Sequence, residues 1–422
     1  MSKIPVSPAT PNCDNTDPHS LSVQQALAQI DALITPLADT CSLGLTDALH
    51  HVLAEAVISP LNVPSYRNSA MDGYAVRSGD LPSSGEQSLE VVGTVFAGSP
   101  FNGQVGAGQC VRIMTGAKVP DDTDTVIMQE HVQRNADTLT VGSGHRGGQN
   151  IRQPGEDIAQ GDEVLLPGKW LGPAELGLLA SLGIPEVMVK RRLKVAFFST
   201  GDELRPVGST LGEGQIYDSN RYSIYGMLRD LHVDIIDLGV IPDDRDAVEA
   251  AFQKAAGMAD AVITSGGVSV GDADYVKETL DKLGTVNFWK INMKPGKPLA
   301  FGKIARAFFF GLPGNPVSVM ATFYQFAQPA LRRLMGQDSV APIIIKVACK
   351  EMLKKRPGRT DFQRGVLEYD AQGELQVRSV GMQASHIMSG MSQANCFIIL
   401  PAESGNVEAG SLVDVQPFEG LM

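Results

Sequence analysis

The feature that most restricts this chain is a strand–helix alternation between about residues 191 and 334. "LKVAFFS" (193–199), "VDIIDL" (233–238), the apolar run at 260–265 and "RAFFFGL" (306–312) have the length and composition of buried strands. Helical patterns follow each of them, over 220–231, 245–256, 274–283 and 317–334. Such an order makes a mostly parallel sheet with helices on both faces. Ligands of these sheets bind outside the carboxyl ends of the strands, so the loops there are where chemistry is expected.

The flanking sequence has a different texture. A capping box at Ser22–Gln25 opens a helix carrying Val23, Ala26, Leu27, Ile30 and Ile34, and a second helix is expected from Thr46 through Leu49, Val52, Leu53 and Ala56. Short β-type runs at 90–96, 110–114 and 125–129 alternate with glycine-rich turns. Helix returns at Pro173, with Leu176, Leu179 and Ala180 facing inward and Gly183 as its stop. The reading is a lead-in at 1–20, a split helical domain at 21–60 and 152–190, an inserted β-rich domain at 61–151, an α/β domain at 191–335 and a C-terminal β-barrel or sandwich at 336–422.

Charge narrows the partners. With 47 acidic and 35 basic residues the net charge is −12, which opposes binding to nucleic acid or an anionic membrane. No apolar run is long enough to span a bilayer. The five cysteines form no CxxC pair, which fits a reducing cytoplasm and disfavours zinc and a disulfide framework.

Three loops at the sheet edge are chemically loaded: "STGDEL" (199–204), "TSGGVSVGDADY" (264–275) and "GLPGNPVS" (311–318). Gly266 and Gly267 free backbone N–H groups to surround a phosphate, and the Gly314-Asn315-Pro316 turn leads into a helix. Each alone is equally a tight turn; three at one edge favour an anion site. Two basic clusters in proline and glycine frames, "KPGKP" (Lys294, Lys297) and "KKRPGRTDFQRG" (354–365), suit an oxyanion or polyphosphate. Asp72, Asp157, Glu203, Asp243 and Asp274 are loop carboxylates that either cap and solvate or hold Mg²⁺ beside a phosphate; Asp272 could equally cap a helix. No HExxH or Walker A pattern occurs, which disfavours a zinc protease and a P-loop NTPase.

In order, "NSAMDGYAV", "RIMTGAKVP", "GQNIRQPGEDI", "FSTGDEL", "QIYDSNRY", "TSGGVSVGDADY", "KPGKP", "GLPGNPVS" and "GRTDFQRG" run through the chain. Together they resemble the MoeA/gephyrin E-domain family of molybdopterin molybdenumtransferases, in its stand-alone bacterial form, from about residue 20 onward. The resemblance implies a homodimer of four-domain subunits: a split helical domain, an inserted β domain, a doubly wound α/β molybdopterin-binding domain and a C-terminal β-barrel. It implies that adenylylated molybdopterin and molybdate are the substrates, that AMP is released with the help of Mg²⁺, and that a molybdopterin adenylyltransferase is the donor. It places Asp72, Thr115, Asp157, Glu203, Asp243 and Asp274 at catalytic positions, with Glu203 and Asp274 at the metal. Gly266, Gly267, Ser269, Pro313, Gly314, Asn315 and Pro316 would bind the substrate, and Lys294, Lys297, Arg364 and Ser385 the molybdate. Asp72 and Thr115 would reach the α/β domain of the other subunit. Two other readings stay open: adenylyl transfer from ATP to molybdopterin, and a non-catalytic scaffold.

Overall fold

The computed structural model describes residues 20–266, 275–338 and 341–418. Contacts divide the chain into two compact units, one built from 42–49 and 53–189, the other from the remainder.

The larger unit contains the expected sheet. Its strand order is Asp234–Ile241, Lys194–Thr200, Ala261–Ser265, Ala307–Leu312, Pro298–Ile304, Gly284–Lys290. The first four are parallel, as the alternation requires. The last two are antiparallel additions at one edge. They escape a sequence reading because Gly284–Lys290 follows its helix directly and both strands mix polar with apolar residues. The pleat sends alternate side chains to opposite faces. Ala196, Phe198, Val262 and Phe309 pack on one face against Val248 and Phe252 of the Arg245–Met258 helix and Val276 and Leu280 of the Tyr275–Leu283 helix. Val195, Phe197, Ile263 and Phe310 are equally buried on the other face, where the Ser219–Asp230 and Pro316–Thr322 helices pack together.

The expected 317–334 helix is a continuous helical run with a π turn, Phe323–Ala327, in its middle. Pro329 sits just beyond that turn and has no N–H to offer the regular ladder. Five strands of the C-terminal region close into a barrel: Thr360–Tyr369, Leu375–Ser379, Ile345–Cys349, Leu412–Pro417 and Cys396–Leu400, which returns to the first. Closure leaves no free edge, and Val347, Val377, Ile398 and Val415 fill the interior. The barrel is tied to the α/β region by Met293–Lys294, which pairs in parallel with Thr360–Asp361. The capping box holds as expected, with Ser22 and Gln25 exchanging bonds ahead of the Val23–Leu33 helix.

The smaller unit is built on a six-stranded sheet in the order Thr125–Met128, Gly73–Val76, Gln109–Ile113, Glu86–Val95, Thr138–Gly142, Val132–Asn135. It buries both faces, Ala75, Val111 and Val126 on one and Tyr74, Cys110 and Ile127 on the other. The Pro173–Ser181 helix is present, and Gly183 past its end has φ +70°. Ala180 of this helix faces solvent, not inward. The helix expected from Thr46 does not form. The chain makes a single turn there and leaves it at His50, which has φ +62°. Val52 and Leu53 are buried in extended backbone instead, Val52 accepting from the Lys190 N–H and Leu53 bridging Val189. Strand pairing buries these β-branched and apolar side chains as well as a helix would, so the local spacing is overridden.

Candidate functional site

In the larger unit, the loops at the carboxyl ends of the parallel strands meet the barrel around a cavity of about 860 Å³. Gly266, Lys294, Lys297, Pro313, Gly314, Asn315 and Ser385 all line it, as do Arg359, Gln383 and His386. Among the described residues no acidic side chain lines it, in a chain whose net charge is −12. The ammonium and guanidinium groups of Lys294, Lys297 and Arg359 in such a wall attract an anion.

Local structure explains the placement. Gly266 has φ +91°, and a Cβ there would come within 3.0 Å of the Thr200 carbonyl oxygen, so a side chain would part the first two loops. Its N–H donates to the Leu312 carbonyl at 3.2 Å, joining the second loop to the third. Pro316 occupies the first turn of its helix, and the Val317 N–H donates to the Ser385 carbonyl at 3.1 Å. That bond fastens the barrel loop bearing Ser385 to the α/β region.

Arg364 lies elsewhere than its companions. It is fully buried, and its Nη2 donates to the Met382 carbonyl at 2.6 Å and to the Ala384 carbonyl at 3.3 Å. Its Nε and Nη1 have no partner, and burial lowers its pKa. Arg364 therefore sits beneath the 382–386 loop, supporting the cavity wall from behind. A second, strongly basic cavity of about 610 Å³ shares Lys294 and Arg359 with the first and adds Lys354, Lys355 and Arg356. Lys355 is spent structurally, its ammonium donating to the carbonyls of Arg356, Ala402 and Ser404.

Acids gather at the neighbouring strand ends. Asp202 Oδ1 accepts from the Asp243 N–H at 3.1 Å, and Glu203 lies in the same turn. Burial, and then the Asp202 and Glu203 charges, raise the Asp243 pKa. Like-charge crowding of this kind is relieved by a cation. The described residues contain no group of three ready-made metal ligands. Mg²⁺ does not ask for one, since it keeps water and takes one or two carboxylates together with substrate phosphate. The donor set therefore fits Mg²⁺ in that role. Gly267, Ser269, Asp272 and Asp274 lie outside the described residues.

The smaller unit brings Asp72 and Thr115 together. Asp72 Oδ1 accepts from both the backbone N–H and the hydroxyl of Thr115, each at 2.7 Å. The Thr115 N–H, then its hydroxyl, lower the pKa of this exposed carboxyl. Gly73 is needed beside it, because a Cβ there would stand 2.0 Å from the Ile127 carbonyl oxygen across the sheet. Asp157 is exposed in the turn that bridges Val63 and Ile158.

Residues that the sequence reading passed over include Arg359 and His386 in the wall, Asp202 among the acids, and Asn220, which joins Ser265 to Gly314. Arg359, Asp202 and Asn220 lie within stretches already singled out, "GRTDFQRG", "STGDEL" and "QIYDSNRY", and His386 follows Ser385 directly. The stretch was visible; the individual side chain was not.

The chain matches the MoeA N-terminal region (domain I and II) over residues 21–183, a probable molybdopterin binding domain over 196–333, and the MoeA C-terminal region (domain IV) over 346–418. It is 50% identical over 404 residues to a molybdopterin molybdenumtransferase of Haemophilus influenzae, covering 95% of this chain and 100% of that one. A protein of the same name from Nostoc is 36% identical, covering 88% of this chain and 87% of its own length. The crystal structure of a molybdopterin biosynthesis moeA protein from Pyrococcus horikoshii superposes with a TM-score of 0.82 at 28% identity, covering 94% of this chain and 100% of that one.

Proposed function

The chain belongs to the MoeA family, and on that premise we propose that it is a molybdopterin molybdenumtransferase. The substrates are adenylylated molybdopterin and molybdate; the products are molybdenum cofactor and AMP. The observation that carries this reading is the lysine-lined cavity at the strand ends of an otherwise acidic chain, with no acidic side chain among its described lining residues.

Each group then has a task. Lys294 and Lys297 hold the molybdate dianion as point charges, with the Ser385 hydroxyl beside them. Arg364 keeps the Ser385 loop in place through the Met382 and Ala384 carbonyls. The backbone of Gly266 and of Pro313–Asn315 faces the substrate phosphates. Glu203 and Asp274, with Asp243 close to Glu203, would hold Mg²⁺, which would supply positive charge beside the phosphoanhydride. Asp72, held as a firm anion by Thr115, is a weak base, so it orients the attacking water by accepting its hydrogen bond rather than removing its proton. The protein acts as a homodimer in which Asp72 and Thr115 of one subunit serve the cleft of its partner. The donor of the adenylylated substrate is a molybdopterin adenylyltransferase, and the scattered thiols fit a reducing cytoplasm.

The test is AMP release from adenylylated molybdopterin, with and without molybdate and Mg²⁺. AMP formed in step with molybdenum incorporation, and only with Mg²⁺, is the expected result. Pyrophosphate from ATP and molybdopterin would replace this reading with adenylyl transfer. Mixing inactive Asp72→Ala and Lys297→Ala proteins tests the shared cleft. Random exchange gives half heterodimers, each with one intact cleft, and so about a quarter of the wild-type rate. No recovery after demonstrated subunit exchange would place both residues in one subunit's cleft.

A further inference from the structure

The Asp218–Arg221 segment takes no part in the chemistry above, yet its polar side chains are committed to specific bonds. Asp218 is buried, and its Oδ1 accepts from the Arg221 N–H at 3.1 Å, capping the Ser219–Asp230 helix. Arg221 Nε reaches both oxygens of Asp237 at 3.0 and 2.9 Å, which fixes the first turn of that helix to the neighbouring strand. Asn220 projects from this anchored turn. Its Nδ2 donates to the Ser265 hydroxyl and to the Gly314 carbonyl, both at 2.7 Å.

An amide nitrogen has two hydrogens, and here both are used. The orientation of the amide is fixed by chemistry, because the Gly314 carbonyl can only accept and would repel Oδ1 in the flipped arrangement. Oδ1 is left buried without a partner. That is a poor use of a polar atom if stability were the only purpose. The two groups that Asn220 ties belong to the second and third loops of the sheet edge. Gly266 and Gly314 line the cavity, and Asn220 does not. The Gly314 carbonyl is thus drawn toward a residue outside the cavity wall. The Gly314–Asn315 peptide is trans, so its N–H points opposite to its carbonyl. No bond from the Asn315 N–H occurs among the described residues.

We infer that Asn220 is a positioning residue: by holding the Gly314 carbonyl back, it turns the Asn315 N–H into the cavity as a donor to a phosphoryl or oxyanion group. The inference rests on reading the cavity as the substrate's anion site. Its effect passes through the peptide, since Asn220 itself does not touch the ligand.

Asn220→Asp keeps the shape of the side chain and removes both donors. Calorimetric titration with inorganic phosphate and with AMP should show affinity falling about tenfold or more, as expected for a lost charge-assisted bond. KM for adenylylated molybdopterin should rise by a similar factor while kcat stays within about threefold, because the contact is made in both ground and transition states. Ser265→Ala removes one of the two bonds but leaves the Gly314 carbonyl held, so its effect should be several-fold smaller. Asn220→Ala serves if the aspartate variant does not fold, with the same expectation. Unchanged phosphate affinity and KM, equal losses in the Ser265 and Asn220 variants, or a wild-type protein that binds neither phosphate nor AMP would each overturn the inference. If the wild type transfers no molybdenum, yet the Asn220 variant still loses phosphate affinity, the transferase reading falls and this one stands.

Discussion

Asp72 and Asp243 are both carboxylates on loops beside strand ends, and their surroundings push them in opposite directions. Asp72 receives two donors from a single residue, Thr115, and is held below the ordinary range for an aspartate. Asp243 is exposed beside Asp202 and Glu203, and desolvation followed by their charges raises its pKa. The first is a finished anion, satisfied before any substrate arrives. The second is unfinished, and a cation is the natural completion. A carboxylate's residue type therefore says little about its task; the donors and charges around it decide.

The largest effect that could break this comparison is expected from Asp72→Ala. Molybdate-dependent AMP release should fall about a hundredfold or more, the scale of a positioned polar group at the reacting centre. The thermal midpoint should move by no more than about 2 °C, since the side chain is exposed. A loss under about threefold would leave Asp72 as a turn-closing residue. Asp243→Asn comes next. It should raise the Mg²⁺ concentration for half-maximal rate about tenfold, with the rate restored at saturating Mg²⁺. The matching Asp72→Asn change should leave that concentration unchanged, and a shift of equal size in both would erase the contrast.

Acid titration sharpens it further. The depressed pKa of Asp72 contributes stability that is present above the unfolded-state value of about 3.8 and is lost as pH falls through the lower folded-state value. The raised pKa of Asp243 has the opposite sign: its charge costs stability once pH climbs from about 3.8 past its folded-state value. Carbon-detected NMR of the two carboxyls in the metal-free protein should show Asp243 titrating above Asp72, and Mg²⁺ should lower only Asp243. The smallest effect is expected from Thr115→Val. It removes the hydroxyl and leaves the backbone N–H, the larger of the two influences on Asp72. Asp72 should stay ionised at neutral pH and the rate should drop by no more than about tenfold.

The two units also differ in how far the sequence exposes them. The parallel strands of the α/β region are runs of Val, Ala, Ile and Phe bounded by polar loops, and burial on both faces makes such runs continuous and easy to find. The barrel strands were visible for a similar reason. The segment around Thr46 was not, because its apolar spacing suits a helix and an extended strand alike. The pairing of Val52 and Leu53 with residues near 189 and 190 then chose the strand. Among the site residues, Lys294, Lys297 and the two described glycine turns were legible as loaded loops and Ser385 only through the family resemblance, and they do line one cavity. Arg364 shares their motif-level signal but is buried behind the wall. Whether a guanidinium faces a cavity or braces it depends on which carbonyls lie within reach, and no local pattern records that.

The sequence by itself determined the alternation of the four parallel strands with their helices, the placement of loaded loops at one sheet edge, and the family. These follow from periodicity, glycine and proline positions, and an ordered set of motifs, all of which are local along the chain. Tertiary structure alone decided that Gly266, Lys294, Arg359 and Ser385 share one cavity wall, that Thr115 donates to Asp72, that Asp202 and Glu203 crowd Asp243, and that Asn220 ties Ser265 to Gly314. Each of these is a contact of a few ångströms between residues that lie tens of positions apart. Hydrogen bonds and charge–charge terms fall off steeply with distance and angle, so only the folded backbone fixes which of them are made.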